Sequence, residues 1–426
     1  MTSPHAPGLP AGRLVGRTVE VPPASLPTDL LDLLPAAEPL AWLRRGEGVV
    51  GWGVAARCVT HGPDRFADAA DWWRETAAAA EVADEVREPG TGLVCLGSFG
   101  FADEPGDSVL VVPEVLVGSR GGRAWVTVVG REAAPDLPDL APTTPPDAPR
   151  GVTFADGAMS GAAWEVVVAD AVARIGAGEL EKVVLARDLV VTTDAPLDVR
   201  WPLRRLASDY EMCWTFHVDG LFGATPELLV RRERGLVTSR VLAGTIRRTG
   251  DDARDAGLAG QLARSSKDLE EHEYAVRSVA DSLAPYCSST NVPEVPFVLH
   301  LPNVMHLATD VTGVVHDHHD AAGASVLDLA AALHPSAAVG GTPTKVAVEL
   351  IEEIEGMDRG RYAAPVGWMD AHGDGEFGIA LRSAHVDGDR VRLFAGCGIV
   401  ASSDPASELA EAQAKFLPVR DSLSGD

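Results

Sequence analysis

Cysteine is scarce in this chain, five in 426 residues. Cys58, Cys95, Cys213, Cys287 and Cys397 are scattered and no two form a CxxC pair. That spacing excludes a disulfide framework and a zinc–thiolate site. The five are expected to be small buried hydrophobes of a protein kept in a reducing compartment. Basic residues are also short: 36 Lys and Arg stand against 62 Asp and Glu, a net charge of −26. Such a surface repels nucleic acid and anionic membrane, so neither is an expected partner. An anionic substrate would need a local cluster of positive groups or a metal. No apolar run reaches membrane-spanning length. The opening "MTSPHAPGLPAGRLVGRTVEVPP" has no basic region followed by an apolar stretch, so no signal peptide is expected and a cytoplasmic location is. There is no internal repeat, no Walker A sequence and no GxSxG.

What is present is a globular composition, 46% hydrophobic, on a chain long enough to bury a large core. Residues 27–85 alternate short strands and helices. "GLVCLGSFGF" and "SVLVVPEVLVGSRGGRAWVTVVG" read as strands around a glycine turn. The Pro-rich stretch 134–150 separates a first part, 1–150, from a second, 151–426. In the second part "AAWEVVVADAVARIGAGEL" reads as a helix, followed by the strand "EKVVLARDLVV". Hairpins are predicted with turns at Glu233–Gly235, Gly373–Gly375 and Asp387–Asp389. "SKDLEEHEYAVRSVADSLA" and "TKVAVELIEEIEGM" read as helices. So does "DPASELAEAQAKFLPV", with Asp404 as N-cap and Pro405 at the first helical position. Long antiparallel hairpins with helices between them predict an α+β fold, not a doubly wound parallel sheet.

Several residues could carry chemistry, each against a plainer role. Lys182 heads a strand and shares a face with Val184, Ala186 and Val190. It is either a lysine snorkelling from a strand end or a partly desolvated base. Glu227 in "ATPELLVRR" is either solvent-facing or, in a dry pocket, an acid with a raised pKa. Glu270 and Glu271 sit early in their helix, where acids complement the dipole. Glu271 lies on a flank with Ala275, Ser278 and Ser282, whose small side chains let something approach closely. Glu408, Glu411 and Lys415 fall at i, i+3 and i+7, as a surface stripe or as carboxylates for a hard cation with a lysine near a bound anion. "GCGIVA" at 396–401 is a weak dinucleotide fingerprint, because no helix follows it directly. Its glycine amides could hold a carboxylate. "HDHH" at 316–319 reads as a polar loop more than a metal tract.

Together and in this order, "KVVLAR", "TPELLV", "LAGT", "KDLEEH", "LPNVMHLAT", "LHPSAAVGGTP", "DRGRYAAPVGW", "GDGEFGIALRSA" and "AGCGIVASSDPASELAEAQAK" resemble the chorismate-utilising enzymes over roughly residues 160–420. The first third, notably "WLRRGEGVVGWG", resembles the variable part of isochorismate synthases. The resemblance implies one large mixed fold, with antiparallel sheets around a deep site and the first 150 residues packed into it. It also implies Mg²⁺ and chorismate as cofactor and substrate. Glu271 and Glu411 match Mg²⁺ ligands of the family, with Glu408 close by. Arg382, Lys415, Tyr362 and the amides of Gly396 and Gly398 match carboxylate-binding positions. Gly244, Thr245 and His306 match residues lining the ring. Met305, Ala364 and Cys397 depart from the commoner glutamine, glycine and alanine.

Family members differ in the nucleophile that attacks C2 of chorismate. Aminodeoxychorismate synthases place a lysine nucleophile where this chain has Ala243, so a covalent amine step is not expected. Anthranilate synthases use ammonia, lack a lysine at the Lys182 position and work with a glutamine amidotransferase. No amidotransferase partner is expected here. Water is a poor nucleophile and needs a base, which Lys182 would be, with Glu227 as the acid on the departing C4 hydroxyl. The expected protein is a monomeric, Mg²⁺-dependent isochorismate synthase of menaquinone biosynthesis. The alternatives are a salicylate synthase of siderophore biosynthesis, which also eliminates pyruvate, and a non-catalytic chorismate binder.

Overall fold

The β-branched runs that read as strands pair into two large sheets, and the helices are inserted between hairpins. A computed structural model describes residues 13–301, 304–316 and 323–424, without the side chains of Lys267 and Glu271. The "HDHH" run lies outside the described residues after His316.

Among the described residues one sheet has 13 strands and the other 10. Apart from the parallel pair of Leu14–Val21 with Glu81–Asp84, the pairings are antiparallel, as expected of an α+β chain rich in hairpins. Strands before and after residue 150 share both sheets. In the larger one, Leu40–Arg44 pairs with Trp214–Val218, with Phe216 opposite Trp42. In the smaller one, Val94–Ser98 pairs with Pro365–Asp370, with Gly367 opposite Gly97. Residues 134–150 form no helix or strand, yet they are held. Thr143 N–H and Oγ1 donate to Asp32 O, and Arg200 donates to Thr144 O. Trp42, Trp214 and Phe216 from one sheet meet Leu96, Val366 and Trp368 from the other in a buried core.

Local signals set the ends of the elements near the site. The Arg234–Gly235 turn has both residues at positive φ, the backbone a two-residue hairpin needs. Asp404 accepts from Ser407 N–H and Pro405 opens the helix Pro405–Ser422, as its sequence predicts. The helix Ser266–Leu283 is capped by Ser265, whose side chain accepts from Asp268 N–H. Helices Arg200–Asp209, Asp252–Leu262 and Val326–Leu333 escaped the sequence reading. No helix among the described residues is long and apolar enough to cross a membrane.

Two of the short crossovers between the sheets border the site. Pro226 and Glu227 link Leu221–Thr225 of the larger sheet to Leu228–Glu233 of the smaller. Ala380–Arg382 link Gly375–Ile379 of the smaller back to Ser383–Asp387 of the larger. Where the sheets part, a cleft opens.

Candidate active site

The cleft has a volume of about 420 Å³. One wall is the strand Lys182–Thr192 against Arg390–Ile399, the opposite wall is Leu236–Arg247 against Val304–Val315, and the helices 266–283 and 405–422 close the sides. Lys182, Glu227, Gly244, Thr245, His306, Tyr362, Arg382, Gly396, Gly398, Glu408, Glu411 and Lys415 all line it. Glu271 stands on the helix between Asp268 and Ala275, which both line the cleft, but its side chain lies outside the described residues. The two crossovers bring Glu227 and Arg382 into the same cleft as the residues of the paired strands.

The wall bearing Lys182 depends on glycine. Val184 sits opposite Gly398 and Ala186 opposite Gly396. Val184 N–H donates to Gly340 O, and Ala186 N–H donates to a carboxylate oxygen of Glu355. These amides therefore face away from the strand 390–399. By the antiparallel alternation, the amides of Gly396 and Gly398 face away from the strand 182–192. On that side the neighbouring strand ends with Ser383 opposite Phe394, so no strand takes them up. A Cβ on Gly398 would lie 2.8 Å from Lys182 Cε, so glycine lets the lysine lie across the strand. Lys415 Nζ donates to Gly396 O at 3.0 Å and pairs with Glu411 at 2.7 Å.

Glu227 is only 7% exposed. Burial pushes its carboxyl up to about 7, against the pull of the Arg382, Lys182 and Lys415 charges. It thus keeps its proton to much higher pH than an ordinary glutamate does. Glu411 behaves oppositely: burial would raise it, but Lys415, by charge and hydrogen bond, and Arg382 hold it below the usual carboxylate range. Tyr362 stacks on Phe394 at 5.1 Å, and burial raises its hydroxyl to about 12. Arg382 takes φ 50°, a left-handed conformation rare for a residue with a Cβ.

On the opposite wall, Gly244 at φ 75° forms a bulge that shifts the register between Ala243 and Thr245. A Cβ there would meet Asp268 Cβ at 3.2 Å. The bulge sets Thr245 opposite His306, and Thr245 Oγ1 lies 2.9 Å from His306 Nδ1. Burial, with help from Arg382 and Lys415, pushes His306 down to about 3, so the ring is neutral. Its Nε2 is buried and has no partner in the protein. Met305, on the other face of that strand, packs with Leu262 and Leu307 away from the cleft. Cys397 lines the cleft, while Ala364 is buried and does not.

Sequence reasoning missed Asp268 and Arg359 as lining residues and saw Asp404 only as a cap. Arg359 is clamped by Glu355 (Nε–Oε2 2.7 Å, Nη2–Oε1 2.8 Å) and donates to Val339 O and Val184 O. It ties the loop 336–341 to the Lys182 strand.

The chorismate-binding enzyme family model matches residues 41–424. The chain belongs to the chorismate-binding enzyme family. It is 34% identical to the salicylate biosynthesis isochorismate synthase of Pseudomonas aeruginosa, over 90% of this chain and 84% of that protein. It is 38% identical to the isochorismate synthase MenF of Bacillus subtilis, over 62% of this chain but only 56% of that protein. The solved structure of MenF, the menaquinone-specific isochorismate synthase of Escherichia coli, has the same fold. Its TM-score is 0.80 at 24% identity, covering 98% of this chain and 96% of that one.

Proposed function

We propose that this chain is an isochorismate synthase that adds water to C2 of chorismate and expels the C4 hydroxyl, serving menaquinone biosynthesis. The observation that carries the reading is Glu227. It is a buried carboxylic acid poised near neutral pH, sharing one cleft with Lys182, whose charge reaches it. The names of both relatives point to isochorismate synthase, while the one matched along 90% of the chain belongs to salicylate biosynthesis.

In this reading Lys182, as the amine, takes a proton from the attacking water. The water oxygen bonds to C2, the ring double bonds shift, and the C4–O bond breaks. Glu227 gives its proton to the departing oxygen, which leaves as water. One water enters and one leaves, so substrate and product are isomers. Ala243 offers no amine to compete with water. Arg382, Lys415, Tyr362 and the amides of Gly396 and Gly398 bind the two carboxylates of the substrate, giving this acidic protein a local anion site. Gly244, Thr245 and His306 border the ring.

Mg²⁺ belongs to the proposal. Glu408 and Glu411 bring hard oxygen donors to one side of the cleft, and the helix carrying Asp268 and Glu271 faces them. These acids would hold the ion. When bound, Mg²⁺ supplies charge neutralisation for a carboxylate of the substrate. The protein is expected to act as a monomer, in the cytoplasm, without an amidotransferase.

The test is to incubate the protein with chorismate, with and without Mg²⁺, and resolve the products by chromatography while following salicylate fluorescence. Isochorismate alone, formed only with Mg²⁺, is the expected result. Salicylate with pyruvate would make the protein a salicylate synthase of siderophore biosynthesis. Unchanged chorismate would leave a binding protein.

A further inference from the structure

Glu227 faces two spaces. Besides the cleft it lines a side cavity of about 20 Å³, whose other polar lining residues are Ser239, Arg240, Ser278 and Ser336. That volume suits one water, which needs somewhat more than 10–15 Å³ and two or more polar partners. The partners are there. Ser336 Oγ is buried and has no hydrogen-bond partner in the protein, although its carbonyl is used by the Val339 and Gly340 amides. Ser239 is buried beside it. Ser278, which also lines the cavity, is exposed. The small residues Ala275 and Ser278 on the helix 266–283 thus leave a gap against the sheet.

We propose that this cavity holds a water bonded to Ser336 Oγ and Glu227, and that it forms a back route for protons between Glu227 and solvent. The inference rests on Glu227 being the acid of the reaction. After turnover Glu227 is a carboxylate and Lys182 an ammonium. The cavity water gives a proton to Glu227 and receives one from bulk water at Ser278. Lys182 loses its proton to water at the cleft mouth, so charge and protons balance over the cycle. Ser336 is a positioning residue that never touches substrate.

The test compares Ser336→Val, which removes the hydroxyl and fills the cavity, with Ser336→Thr, which keeps the hydroxyl. Both are assayed with excess enzyme in a single turnover and with excess chorismate under multiple turnovers. The route acts only after the first turnover. Ser336→Val is therefore expected to leave the single-turnover rate unchanged and to lower kcat about ten-fold, short of the roughly 10²–10⁴-fold that loss of a general acid costs. Ser336→Thr should restore kcat. Unchanged rates in both regimes, equal loss in both, or a loss that threonine does not restore would overturn the proposal. If Glu227→Gln itself kept full activity, the reading of Glu227 as the acid would fail instead.

Discussion

Two buried glutamates stand on either side of the Lys182 strand, and their surroundings differ. Glu355 is 1% exposed, is clamped by Arg359 through two hydrogen bonds and accepts from Ala186 N–H. Glu227, 7% exposed, receives no such clamp and feels Arg382, Lys182 and Lys415 only through their charge. Burial is therefore common to both. What separates the two carboxylates is whether a donor has been built against each. Glu355 holds the back of the strand so that Lys182 projects into the cleft. Glu227 is left with its desolvation cost, and that cost holds its proton near neutral pH.

The sharpest way to break this contrast is to change one residue of each kind. Glu227→Gln and Lys182→Ala are each expected to lower kcat roughly 10²–10⁴-fold while far-UV circular dichroism stays unchanged. A variant within a few-fold of the parent would remove its residue from the mechanism. Glu355→Ala should act in the opposite sense. It leaves Arg359 buried without its partner, at a cost of about 3–5 kcal/mol, read as a lower urea midpoint. A Glu355→Ala variant of unchanged stability would mean that the clamp does not hold the wall.

Glu227 is raised from 4.5 to about 7 in the folded protein. The stability tied to its proton is full below about 4.5 and is lost as pH rises through about 7, at most a few kcal/mol. Between pH 5 and 8 the parent should lose stability that Glu227→Gln does not lose. Whichever way the kcat/KM profile bends near pH 7 in the parent, that bend should be missing from Glu227→Gln. Parallel stability curves for parent and variant would mean that Glu227 is not the group that titrates.

Local signals carried the framework of the site. The cap at Asp404–Pro405 and the 3.6-residue period fixed the helix that presents Glu408, Glu411 and Lys415, and the strand run placed Lys182 at its head. Glu227 could not be resolved that way. "TPELLV" suits a solvent-facing strand start, and its burial comes from the crossover between sheets, where Ile379 N–H donates to Glu227 O from 152 positions along the chain. Arg359 was missed because an i, i+4 glutamate–arginine pair looks like a surface helix pair until the loop 336–341 covers it. Asp268 was hidden as an ordinary first-turn acid, and the bulge at Gly244 that faces it is a register event no local pattern reports. Side chains set by long-range pairing were the ones the sequence left open.

The smallest expected effect lies on the far wall. Thr245 Oγ1 is within hydrogen-bond distance of His306 Nδ1, and the Gly244 carbonyl also bonds the ring. A proton on Nδ1 fits both contacts and leaves the buried Nε2 as an acceptor for a donor on the ligand. Thr245→Val keeps the shape and removes the hydroxyl. One neutral hydrogen bond is worth about 1 kcal/mol, so kcat/KM should fall about five-fold. Because His306 is held neutral by burial rather than by Thr245, the pH profile of the variant should keep the position of the parent's. A profile displaced with the rate would mean that the wall tunes a charge in the cleft.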